Sequence, residues 1–379
     1  MKFTMFWIKQ RIKTFFQLKV LPKYYKISIK GKVDSKNVIF ADAHNKTLPY
    51  SMELLHKKFT DEGFEVIDFI CDYNSSSFST ILKNMFGFMK CYANAKYVII
   101  CDYFLPVSSA DKRPETVVVQ LWHACGMFKK FGYDAQDDIS KDYKGFPSKN
   151  FDLVTVTSPI CEKTYANAFH LPEKNVKSLG LSRTDCFFNP EYIAKCKEDF
   201  YRTYPQAKGK KIVLWAPTFR GNAGNPVLVG KDDIINLQSK LGNDWFVVTK
   251  LHPHFKNMGD FNSSIPTERL LPVTDVLISD YSTVIFEYLL FNRPLVLFVP
   301  DFDDYYSQRG FYFDYDELPG CIVKDGNKLA DAIKNQCENN ELTKIATFRN
   351  KYLSACDGNS TDRIFKAILK LGLGGDLNS

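Results

Sequence analysis

At 379 residues and 45% apolar side chains, the chain is longer than one hydrophobic core usually supports and apolar enough to bury two, so two domains are expected. Lys and Arg exceed Asp and Glu by 50 to 43, a mild basic excess that suits anionic substrates or an anionic membrane surface; no nucleic-acid-binding motif accompanies it. Ten cysteines are scattered without a CxxC or other ligand spacing, which argues for reduced thiols in a cytoplasmic protein and against a disulfide frame or zinc site; no structural metal is expected.

Residues 1–33 carry nine Lys or Arg and no acid. On a helical wheel Met5, Ile8, Ile12, Phe15 and Phe16 share one face, with Lys2, Lys9 and Lys13 opposite, the pattern of a basic amphipathic helix lying on a membrane surface. The apolar run is too short and too broken by charge to span a bilayer or form a signal-peptide core. A helix packed on the chain's own sheet fits the same periodicity. Residues 34–205 then alternate short apolar β-branched runs, Val38–Phe40, Val66–Ile70, Tyr97–Cys101, Val117–Leu121 and Leu153–Val156, with helix-like stretches such as Ser51–Phe59 and Ile81–Ala93. After the basic bridge 206–211 the pattern restarts with Ile212–Trp215, Trp245–Thr249, Val276–Ile278 and Leu295–Val299. Such alternation predicts an α/β fold of two doubly wound, Rossmann-like domains, 34–205 and 206–355, with residues 356–379 forming a C-terminal helix and a frayed tail.

In an open parallel sheet ligands sit beyond the carboxyl ends of the strands, so residues at strand ends are the candidates for chemistry. Two of the six histidines stand there, His123 after Val117–Leu121 and His252 after Trp245–Thr249, one in each predicted domain. A cleft closing between the domains would bring both imidazoles to one reacting centre. The blander alternative is a core histidine bonded to backbone and a helix cap. Ser282 and Thr283, between the strand Val276–Ile278 and a helix expected from Val284 to Phe291, either cap that helix or add donors for a phosphate at its N-terminus. Arg220 and Arg309-Gly310 lie at the same predicted edge as candidate phosphate contacts, a salt-bridged surface position being the ordinary alternative for Arg220. Glu287, a helical turn past Thr283, is a candidate acceptor for ribose hydroxyls, and Lys250 and Asp280 are expected to shape the pocket. His254 is a weaker candidate. His44, His56 and His170 have no motif around them and read as surface residues.

The segments Leu121-Trp122-His123-Ala124-Cys125-Gly126, Ala216-Pro217-Thr218-Phe219-Arg220, Lys250-Leu251-His252-Pro253, Ser279-Asp280-Tyr281-Ser282-Thr283 and Asp357-Gly358-Asn359-Ser360-Thr361-Asp362-Arg363 occur in one order over roughly residues 115 to 365. Together they resemble the CDP-glycerol glycerophosphotransferase family, the enzymes that build teichoic-acid and related polyol-phosphate polymers. The resemblance implies a GT-B-like architecture, two Rossmann-like domains facing a cleft with the donor nucleotide on the second. It implies attack by an acceptor hydroxyl on the β-phosphorus of CDP-glycerol, forming a phosphodiester and releasing CMP. His123 then matches the family's candidate general base and His252 the histidine placed at the donor phosphates. No cofactor or metal beyond the CDP-polyol donor is implied, and the acceptor would be an undecaprenyl-linked saccharide or polyol phosphate at the cytoplasmic face of the membrane. Where chain-extending members carry Gly-Thr-Pro after the tryptophan-histidine pair, this chain has Ala124-Cys125-Gly126, which looks more like the priming subgroup. A CDP-ribitol enzyme, a polymerase, a capsule enzyme, a GT-B glycosyltransferase using a nucleotide sugar and a membrane-bound scaffold with a degenerate site stay open at this point.

Overall fold

The computed structural model describes residues 14–377 except 136–137, 140–142, 223–224, 253–254, 256–257 and 340, and not the side chains of 222, 260 and 307–309. The expectations for Met5, Ile8, Ile12, His254 and the Arg309 side chain lie outside the described residues. The chain forms two compact units, 1–124 with 131–185 and 355–379, and 125–130 with 186–354. The long run of the second unit begins at 186, where the basic bridge led to an expected boundary at 205/206.

The first unit is built on a six-stranded parallel sheet in the order β2-β1-β3-β4-β5-β6, from β1 (Asp34–Asp42), β2 (Glu65–Ile70), β3 (Ala95–Ile100), β4 (Val117–Gln120), β5 (Leu153–Thr155) and β6 (Val176–Lys177). All residues of β4 and β5 are buried, as expected of strands covered by helices on both faces. Met52, Leu55 and Phe59 of the helix Tyr50–Asp61 and Ile364, Phe365 and Ile368 of the helix Ser360–Gly372 pack onto the sheet core. The Asp357–Arg363 motif starts that last helix. Asp185 accepts the backbone N–H groups of Ser360 and Thr361 at 3.0 and 2.7 Å, placing a carboxylate where the helix dipole favours an anion. Arg363 pairs with Asp357 at 2.8 Å and donates to the Leu179 carbonyl.

Within the amino-terminal segment, the described residues divide between buried and exposed apolar side chains. Helix Leu21–Ser28 buries Leu21 and Tyr25, setting Tyr24 against Phe86 at 4.8 Å and Tyr25 against Tyr92 at 5.1 Å, so that face covers the unit's own core. Phe15 and Ile27 are instead 58% and 75% exposed beside Lys19 and Lys23. Among the described residues no helix is long and apolar enough to cross a membrane.

The second unit carries a five-stranded parallel sheet in the order β10-β7-β11-β12-β13 and a short antiparallel hairpin. Its strands are β7 (Lys211–Ala216), β8 (Arg220–Asn222) and β9 (Asn225–Val227) of the hairpin, β10 (Trp245–Thr249), β11 (Val276–Ser279), β12 (Leu295–Phe298) and β13 (Cys321–Val323). The segment 125–130 belongs here: Phe128 stacks on Phe311 at 5.0 Å and its carbonyl accepts the Tyr312 N–H at 2.9 Å.

Gly126 within this segment has φ +68°, and a Cβ there would lie 2.1 Å from the Phe286 ring. Gly209 has a similar φ of +76° with nothing within 4 Å. Gly126→Ala is therefore expected to destabilise the protein by about 2–4 kcal/mol, from backbone strain plus overpacking, and Gly209→Ala by about 1 kcal/mol from strain alone. Denaturant midpoints of the two variants measure the difference.

Candidate functional site

Beyond the carboxyl end of β4 the chain makes a turn that most side chains avoid. Trp122 has φ +57°, the left-handed region, costly for a bulky residue and held only where surroundings over-determine it. The surroundings are visible. Its N–H donates to Gln120 Oε1 at 2.9 Å, its carbonyl accepts from buried Arg183 at 3.1 Å, and Gln120 in turn donates to the Asp102 carbonyl at 3.1 Å. The buried indole packs between Tyr103, Phe131 and Phe169. The turn thus aims the next residue outward: the His123 side chain is 54% exposed, with its ring 4.3 Å from the Trp122 ring.

His123 Nδ1 lies 3.2 Å from Oδ2 of Asp102, which stands two residues past the end of β3. Because a carboxylate can only accept, Nδ1 carries the proton and Nε2 is left as the basic nitrogen. His44 Nε2 stands 3.8 Å from the same oxygen, on a turn whose N–H groups at His44 and Asn45 donate to Asp42. Burial pushes the Asp102 carboxyl up, but its hydrogen bond to His123 and the charges of His123 and His44 outweigh this and hold it below the usual carboxylate range. Asp102 is therefore ionised at neutral pH. Sequence reasoning named His123 but missed Asp102, whose signal was its position directly after the apolar run Tyr97–Cys101; His44, read as a surface residue, is exposed.

In the second unit the strand ends are joined by Arg220. Its Nε and Nη2 donate to the two oxygens of Asp301 at 2.6 and 3.0 Å, Nη2 also to Asp280 at 3.0 Å, and Nη1 to the Thr218 carbonyl at 2.6 Å. The guanidinium carbon lies 4.9 and 4.7 Å from the ring centres of Tyr281 and Tyr305, which stack on each other at 3.8 Å. Burial lowers the Arg220 pKa, but the two aspartates outweigh it and raise it; Asp301, pushed up by burial, is drawn below its ordinary range by Arg220. Four of its five N–H donors are thus given to carboxylates and backbone, the salt-bridged alternative named for Arg220, and it positions the loops after β7, β11 and β12. Buried Asp280 accepts the N–H groups of Thr218 and Tyr281 at 2.8 and 2.6 Å and so holds the turn after β11.

That turn presents Ser282 and Thr283, both half-buried. Ser282 Oγ accepts the Val284 N–H at 3.4 Å, a weak cap, and the helix that follows is Val284–Leu289, two residues shorter than expected, with Asn292 at φ +55° three residues past its end. Glu287 on that helix is buried. Lys250, after β10, is half-buried, donates to the Ser263 carbonyl at 2.8 Å and has its pKa lowered by burial. His252 is exposed, its ring 4.8 Å from Phe219. Tyr281 and Asp301 were missed in the sequence, since only the fold brings Asp301 to Arg220.

Residues 23–370 match the family model described as CDP-Glycerol:Poly(glycerophosphate) glycerophosphotransferase. The chain is 36% identical to the teichoic acid ribitol-phosphate primase of Bacillus spizizenii over 75% of its length and 77% of that protein. It is 32% identical to the teichoic acid poly(ribitol-phosphate) polymerase of the same species over 89% of its length, but spans only 56% of that longer protein. Among solved structures, the wall teichoic acid polymerase TagF superposes with a TM-score of 0.77 over 93% of each chain at 20% identity, a likeness of fold.

Two outcomes follow from this geometry. Asp102→Asn, which keeps size but presents the wrong group to Nδ1, is expected to lower turnover about 10²–10⁴-fold while nucleotide binding is retained, as measured by steady-state kinetics and calorimetry. Arg220→Ala leaves two carboxylates facing each other in a partly buried site and is expected to cost about 3 kcal/mol. The depressed Asp301 makes its contribution above the ordinary carboxylate range and loses it as pH falls through its lowered value, so the difference between wild type and variant should persist at neutral pH and shrink below about pH 4 in denaturation experiments.

Proposed function

Because the chain belongs to the CDP-glycerol:poly(glycerophosphate) glycerophosphotransferase family, we propose that it transfers a polyol phosphate from a CDP-activated polyol to a hydroxyl of a membrane-anchored, lipid-linked acceptor in the synthesis of a teichoic-acid or related polymer. The observation that carries the mechanism is the His123–Asp102 pair. The acceptor oxygen attacks the β-phosphorus, the bond from that phosphorus to the bridging oxygen breaks, CMP leaves, and the hydroxyl proton goes to His123 Nε2 while Asp102 steadies the imidazolium that forms. His252 is assigned to the donor phosphates, with half-buried Lys250 supplying positive charge and Ser282 and Thr283 supplying hydroxyl donors. Glu287 is assigned to the ribose hydroxyls. Arg220 and Asp280 fix the loops that carry these groups.

The family description names glycerol as the polyol, and that is the first reading. Ribitol is favoured as the second by the 36% identity to a ribitol-phosphate primase, a value that also agrees with single-unit priming. Incubating the protein with CDP-glycerol and with CDP-ribitol, and measuring CMP release with a lipid-linked disaccharide acceptor primed or unprimed, decides both points. His123→Ala is expected to lower CMP release about 10²–10⁴-fold. Undiminished release would remove the assignment of the base.

A place at the cytoplasmic face of the membrane is supported by Phe15 and Ile27, exposed beside Lys19 and Lys23, a pairing of apolar and cationic side chains suited to an anionic lipid surface. Since Leu21 and Tyr25 on the same segment are core residues, the informative variant is the double substitution Phe15→Glu and Ile27→Glu, not a deletion. It is expected to lower co-sedimentation with anionic liposomes while the melting temperature stays that of the wild type; equal sedimentation at low and high salt would contradict the membrane role.

A further inference from the structure

Next to Asp102, inside the first unit, lies a cavity of about 340 Å³ that the transfer chemistry above does not use. Gln17, His44, Asp102, Tyr103, Asp138 and Tyr143 line it. Two of these carry buried polar atoms without a partner among the described residues: Gln17 Oε1 and Tyr103 Oη. Gln17 is only 1% exposed, and its amide nitrogen is already given to the Tyr143 hydroxyl, so the oxygen is held in place as an unused acceptor. Burial raises the Tyr103 pKa, with the Asp138 charge adding to it, so the phenol stays protonated and able to donate. A buried polar atom left unpaired is unfavourable, and two on residues that line one cavity mark a place for a ligand that satisfies both.

The lining also limits what that ligand is. It bears the carboxylates of Asp102 and Asp138 and, among the described residues, neither Lys nor Arg, which disfavours a phosphate or diphosphate. An unpaired acceptor, a phenol donor, carboxylate oxygens and tyrosine rings together suit neutral hydroxyl groups on a carbon frame. The volume is at the low end for small-molecule sites and admits one such unit, not a lipid-linked chain.

We propose that this cavity binds an uncharged, hydroxyl-rich unit of the acceptor, a sugar ring or a polyol, seated on Gln17 and Tyr103 so that one hydroxyl is presented to the His123–Asp102 pair. The proposal rests on the reading of His123 as the base, and it adds the element that selects the acceptor. Gln17 and Tyr103 are binding residues in it, while His44 completes the wall beside Asp102.

Tyr103→Phe and Gln17→Leu test it. The first removes an oxygen that has no hydrogen-bond partner among the described residues, so folding is expected to be unaffected, with the melting temperature as control. Each variant is expected to raise the KM for acceptor about tenfold, with the KM for the CDP-polyol changed less than about twofold. Saturation-transfer NMR with a neutral N-acetylhexosamine disaccharide in one arm and free ribitol in the other reports binding without turnover. Signal with wild type that is lost in Tyr103→Phe supports the cavity, and the arm that responds says whether a sugar or a polyol occupies it. Unchanged acceptor KM in both variants, or wild type giving no signal in either arm, overturns the proposal. Absence of transfer from any CDP-polyol would instead sink the reading of the reaction, and the NMR arms would still judge the cavity on its own.

Discussion

The hydrogen bond between His123 and Asp102 is the constraint on which the functional account depends. A histidine at the end of a strand is ordinarily free to rotate; this one is fixed from behind by a turn that its neighbour can occupy only under compulsion. Trp122 stands in the left-handed region because Gln120 and Arg183 take both of its backbone polar groups and three aromatic rings surround its indole. Local strain of this kind persists when the surrounding packing exceeds its cost, and here it ends with an imidazole whose one nitrogen is committed and whose other is available.

The second unit solves a similar problem with charge. Three loops that leave the ends of β7, β11 and β12 would not keep a common geometry by packing alone, and the Arg220 guanidinium ties them through Thr218, Asp280 and Asp301 under the stacked rings of Tyr281 and Tyr305. A planar fork with fixed donors suits this task better than an ammonium would. The consequence for chemistry is indirect: Ser282 and Thr283 owe their position to a residue that itself has few donors left for a ligand.

The sheets were readable in the sequence because buried parallel strands show as continuous apolar runs, and the runs 117–121, 212–215 and 276–278 coincide with β4, β7 and β11. His123 was readable from its place at the end of such a run and from the motif around it. Its partners were not. Asp102 and His44 come from the ends of neighbouring strands, and nothing local in either stretch says that His44 and His123 would approach one carboxylate oxygen. Arg220 shows the same limit in another form, since Asp301 is 81 residues away and a guanidinium reads alike whether it meets a phosphate or a carboxylate. The amino-terminal periodicity was ambiguous for a physical reason: an apolar stripe facing a core and one facing lipid have the same spacing, and among the described residues Tyr25 is buried while Ile27 is exposed.

The central claim concerns which nitrogen of His123 holds the proton, and nitrogen-15 NMR of the histidine side chains in the unliganded protein reads that directly. The account predicts that the neutral imidazole of His123 is the Nδ1–H tautomer and that this preference is lost when Asp102 is replaced by asparagine. A His123 signal in the Nε2–H form, or one indifferent to the replacement, would contradict it.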